Sequence, residues 1–82
     1  MTQIDTPTLA AYGFEHSEMG GNCTAYVRDN GDTETLITDG DGAAPMTMDE
    51  PVVVCEMSKE HGDPVSWQEY SSVMEYLTAA AA

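Results

Sequence analysis

Asn30-Gly31 stands between two runs of alternating character, residues 22–29 and 32–38. That dipeptide is the preferred centre of a two-residue type I′ turn, because both central positions require φ > 0. It commits the middle of the chain to an antiparallel hairpin. With Asn30-Gly31 at the turn, Ala25 falls opposite Leu36 and Thr24 opposite Ile37. Successive strand residues face opposite sides. Cys23, Ala25, Val27 and Leu36 therefore share one face, read here as the core face. Thr24, Tyr26 and Ile37 share the open one.

The flanking sequence supplies partners for that hairpin. Residues 51–57, Pro-Val-Val-Val-Cys-Glu-Met, are rich in β-branched side chains and read as a further strand, with Val53, Cys55 and Met57 on one face. Residues 13–17 fit a brief strand that Gly20-Gly21 would break, and residues 58–64 read as a turn. Thr6 to Gly13 reads as a short helix capped by Thr6, with Pro7 in the first turn and Gly13 at the end. Ser66-Trp67-Gln68-Glu69 has the form of a capping box, with Val65 and Tyr70 as a hydrophobic staple. Trp67, Tyr70, Met74 and Leu77 then make an apolar helical stripe before a fraying Ala79–Ala82 end. A helix and a sheet that are each apolar on one side bury those sides together. The expected fold is α+β, a single two-layer domain over residues 1–82. It has a three- to four-stranded antiparallel sheet, a short N-terminal helix, and a C-terminal helix packed on one face.

The hydrophobic fraction of 41% argues for a folded chain. No apolar run approaches the roughly 20 residues that cross a bilayer. Residues 1–5 show neither a basic n-region nor an apolar h-region, so a cytoplasmic location is expected. Cys23 and Cys55 match no zinc spacing and are expected to be buried, reduced thiols, with a disulfide open only if their strands are neighbours.

Charge narrows the function. Asp and Glu total 15 against only two fixed cations, Arg28 and Lys59, for a formal net charge of −13. Such a field repels nucleic acid and anionic membranes and attracts basic surfaces. It also serves solubility or adaptation to salt. Catalytic chemistry finds little support. His16 and His61 lie far apart in sequence, no serine occupies a Gly-x-Ser-x-Gly elbow, and Gly20-Gly21 and Gly40/Gly42 lack a phosphate-binding context. Asp39, Asp41 and Glu50 fall at positions one, three and twelve of a calcium loop, but Ala43 and Ala44 occupy positions five and six, and a strand rather than a helix precedes them. The reading is a non-enzymatic protein without cofactor or metal.

The acids themselves are the remaining signal. Asp29 and Asp32 flank the hairpin turn. Glu34, Asp39, Asp41, Asp49 and Glu50 follow along the second strand and its exit, and Glu15 and Glu18 precede the hairpin. Such a band could imitate duplex phosphates, which offer one charge per roughly 1.7 Å of helix axis.

The hairpin 23–38, these acids and the terminal helix ending in Glu75-Tyr76-Leu77 resemble, in architecture and charge, the small acidic inhibitors that phages direct against host nucleic-acid enzymes. These are the anti-CRISPR proteins and the uracil-DNA glycosylase inhibitor. The resemblance implies a stoichiometric inhibitor in the bacterial cytoplasm. It would occupy a basic DNA-binding surface, with a type I CRISPR surveillance complex (Cascade) as the expected partner. The binding candidates are Asp29, Asp32, Glu34, Asp39, Asp41, Asp49 and Glu50. The rival reading is a regulatory interaction protein that uses Thr24, Tyr26 and Ile37 on the open sheet face, with acids only at the rim.

Overall fold

The computed structural model describes residues 3–20 and 23–81; Gly21 of the expected strand break, Asn22 at the expected hairpin start and Ala82 lie outside the described residues. The chain runs α1 (Thr6–Ala11), β1 (Glu15–Gly20), β2 (Cys23–Asp29), β3 (Thr33–Thr38), β4 (Val52–Ser58), β5 (Pro64–Tyr70) and α2 (Val73–Ala81). The fold is α+β. Its sheet has five strands in the order β1-β2-β3-β4-β5, every neighbour antiparallel, where three or four were expected.

The additional strand is β5, formed by residues expected to begin the C-terminal helix. Ser-x-x-Glu occurs at both Ser66 and Ser72. Only the second starts a helix. There Ser72 Oγ accepts the Glu75 amide at 3.0 Å, and the Glu75 carboxylate accepts the Ser71 amide at 3.2 Å as well as the Ser71 hydroxyl. Residues 64–70 pair with β4 instead, Val54 opposite Gln68 and Cys55 opposite Trp67. A helix from Trp67 would leave the apolar strand β4 as an unpaired edge, with its outer amides and carbonyls unsatisfied. Val65, Trp67 and Tyr70 are also good strand residues. Residues 79–81, expected to fray, continue α2.

The hairpin forms, with another register. Its turn is centred on Gly31-Asp32: the Asn30 amide donates to the Thr33 carbonyl at 2.8 Å, and Gly31 has φ +94°. Glycine at the first central position is the type II′ preference. Asn30 Nδ2 donates to Thr35 Oγ1 at 2.7 Å, which removes Asn30 from the turn centre. Leu36 consequently faces Val27 rather than Ala25, and Ile37 faces Tyr26.

The covered face is the opposite of the expected one. Tyr26, Ile37, Val52 and Val54 of the sheet pack with Leu9 of α1 and Val73 and Leu77 of α2. Ile37 and Val73 are fully shielded from solvent. Alternation within residues 23–28 favours the odd-numbered residues because tyrosine and arginine look polar in sequence. In the fold the Tyr26 ring is buried, and Arg28 lies over the Phe14 ring at 5.0 Å from its centroid. Burial raises the pKa of the Tyr26 hydroxyl.

The connection between β3 and β4, residues 39–51, completes the covering layer through buried Ala44, Pro45 and Met48. The Ala44 amide donates to Thr24 Oγ1 at 2.8 Å, the Ile4 amide to the Met46 carbonyl at 3.0 Å, and the Met74 amide to the Met48 carbonyl at 3.3 Å.

Two local details hold α1 in place. Asp5, not Thr6, is its N-cap, with Oδ1 accepting the Thr8 amide at 3.1 Å. Gly13 takes φ +90°, and a Cβ there would stand 3.2 Å from Arg28 Cγ and Cδ. Both the backbone angle and the close approach call for glycine.

Candidate protein-binding face

Residues paired across strands share a face. The pairings Val27–Leu36, Leu36–Cys55 and Cys55–Trp67 therefore run one apolar row across β2, β3, β4 and β5. At about 4.8 Å between strands the row is about 14 Å long. It lies opposite the helices. Trp67 is 61% exposed, while Val27, Leu36 and Cys55 are half-buried. Acids stand around the row on the same face. Glu15 pairs with Val27, Asp29 with Glu34, and Glu69 with Val53. Glu69 also lines an open depression of about 370 Å³ with Gly40, Val53 and Tyr70.

The candidate acids divide into two groups at opposite ends of β3. Asp29, Asp32 and Glu34 gather at the β2–β3 turn; Asp39 and Asp41 lie beyond the other end of the strand. The strand separates them by about 20 Å. Several carboxylates serve local structure. Asp29 Oδ1 is 2.6 Å from Lys59 Nζ and accepts the Gly31 amide at 2.8 Å. The Lys59 hydrogen bond, the Gly31 amide and the Lys59 charge hold the Asp29 carboxyl below its usual range. Asp39 Oδ1 accepts the amides of Asp41 and Ala43 at 2.8 and 3.0 Å. Glu50 Oε1 accepts the amides of Met46 and Thr47, each at 2.7 Å. Asp32, Asp41 and Asp49 are exposed, and Glu34 is half-buried beside Asp29.

The fixed cations are both engaged. Arg28 faces the covered side, over Phe14, with Nε donating to Asn30 Oδ1 at 3.0 Å. Lys59 lies against Asp29. The acids on the rest of the surface thus keep their field.

The alternative contact patch is corrected. Tyr26 and Ile37 are buried under the helices, 5% and 0% exposed, and Thr24 holds the Ala44 amide. The open face is the one that carries Trp67. Sequence reasoning missed it because Trp67 was placed on a helix. The period-two alternation of Val65, Trp67 and Glu69 was the available signal.

The thiols are corrected too. Cys23 is exposed and Cys55 is half-buried on the open face, its Sγ 3.4 Å from Met57 Sδ. Burial raises the Cys55 pKa. Strand β3 lies between their strands, so their Cα atoms are at least about 10 Å apart, beyond disulfide reach.

His16 packs edge-on to Tyr26 with ring centroids 5.5 Å apart, and His61 is exposed in the β4–β5 turn. Among the described residues no group of three or more His, Cys, Asp or Glu converges as metal ligands, and no helix is long and apolar enough to cross a membrane. No family model, curated protein or solved structure matches this chain.

Proposed function

We propose that this chain is a non-enzymatic binding protein that acts in a bacterial cytoplasm by occupying a basic, nucleic-acid-binding protein surface. The observation that carries the reading is the uncompensated field: a net charge of −13 in which Arg28 and Lys59 are engaged with Phe14, Asn30 and Asp29. A surface of that sign seeks a Lys/Arg-lined partner and accelerates encounter with it. The resemblance to phage inhibitors names the partner as a type I CRISPR surveillance complex, whose target-DNA binding the chain blocks. Exposed Asp29, Asp32, Asp41 and Asp49, with half-buried Glu34, Asp39 and Glu50, stand in for phosphates. Titrating the chain into a purified surveillance complex and measuring binding of labelled target duplex tests this. Inhibition complete near one chain per complex supports it; unchanged DNA binding at excess chain overturns it.

The open sheet face favours a second reading, a regulatory protein that docks chiefly by apolar contact through Trp67 and the row beside it. Binding that is insensitive to salt would select it.

A further inference from the structure

The uncovered face combines features that together describe a ligand. Trp67 is 61% exposed at the outer strand, and its neighbours Leu36 and Cys55 form the floor of the apolar row. Glu69 lies two residues further along β5 on the same side, about 7 Å away. A planar cation resting on the indole would thus stand within reach of a carboxylate. Glu34 borders the same row on β3, and Glu15 of β1 closes its far end beside Val27. A second copy of this chain is a poor occupant, since face-to-face packing would oppose like-charged carboxylates in a protein of net charge −13.

We propose that this face takes an arginine-bearing segment of the basic partner, with a guanidinium stacked on Trp67 and hydrogen-bonded to Glu69 while its aliphatic stem covers the apolar row. Arginine rather than lysine is specified because its planar fork stacks on an aromatic face and still presents donors at the edge. This rests on the reading of the chain as a binder of basic surfaces and assigns that reading its docking face.

Labelled octa-arginine and octa-lysine peptides, followed by anisotropy at about 0.1 M salt, are the probes. Trp67 is the only tryptophan, so its emission reports on the face directly. Octa-arginine should bind more tightly than octa-lysine and perturb Trp67 emission saturably. Trp67→Ala should weaken octa-arginine by about 2- to 30-fold, the range of a cation–π contact, and octa-lysine by less. Glu69→Gln, which leaves the strand intact, should also weaken octa-arginine more than octa-lysine. Equal affinities for the two peptides, equal losses in the variants, or peptide binding without a Trp67 response would overturn the proposal. So would a concentration-dependent Trp67 shift without peptide, which would assign the face to a second copy. These readouts do not involve the surveillance complex. Loss of DNA-binding inhibition with retained arginine selectivity would therefore contradict the function and not this face.

Discussion

Trp67 of β5 lies directly opposite Cys55 of β4 on the face of the sheet that the helices leave open. Leu77 occupies the contrasting position, 2% exposed beneath that sheet. Leu77→Ala should destabilise by about 2–5 kcal/mol, because it leaves a cavity in a small core. Trp67→Ala should cost less than about 1 kcal/mol, as an exposed surface change. Urea denaturation of both variants checks this; equal, large losses would return Trp67 to the core.

Gly13 offers a test of the backbone. Gly13→Ala forces an L side chain into φ +90° and against Arg28 at 3.2 Å. It should cost about 1–3 kcal/mol and disturb the Arg28–Phe14 contact. Thermal unfolding measures the loss, and a neutral substitution would contradict the assigned geometry.

Local and non-local features differed in how far the sequence revealed them. Asn30-Gly31 announced the hairpin, and the Val-rich run 52–54 announced β4, because turn chemistry and β-branching are local. The register was not local. Asn30 is drawn to Thr35 by its side chain, and Gly31 then takes the first central position. The fate of residues 64–70 depended on β4 needing a neighbour, which no window around Ser66 contains. The covered face depended on where α1, α2 and the 39–51 segment settle. The acids were legible as a charge and not as a surface. Asp39 and Glu50 look like binding groups in sequence and fold back onto their own loop amides.

Asp29 gives a pH signature. Lys59 beside it and the Gly31 amide favour its carboxylate, so its folded pKa is depressed. The stabilisation from this pair is therefore present above the unfolded carboxylate pKa and is lost as pH falls through the depressed value. Carbon-detected NMR titration should find Asp29 titrating below the usual range, and Lys59→Met should move it upward. An unmoved Asp29 in that variant would contradict the ion pair.

Thiol labelling separates the two cysteines. Exposed Cys23 should react in the native protein well before Cys55, which is half-buried, with its pKa raised by burial. Mass spectrometry after brief alkylation reads the order, and faster Cys55 labelling would contradict the relative burial of the two thiols.

The like charges should also be visible in stability. Raising salt from about 0.01 M to 1 M shortens the Debye length from about 30 Å to 3 Å. It should raise the melting temperature by relieving self-repulsion. A flat or falling profile would mean that the carboxylates are compensated.

The most direct test is mutual exclusion on the partner. Surveillance complex preloaded with target duplex should not bind this chain, and complex preloaded with the chain should not bind duplex. Reversing Asp29, Asp32 and Glu34 to lysine together should slow association with the free complex. A stable ternary assembly of complex, duplex and chain would contradict the account, as would unchanged association of the triple reversal.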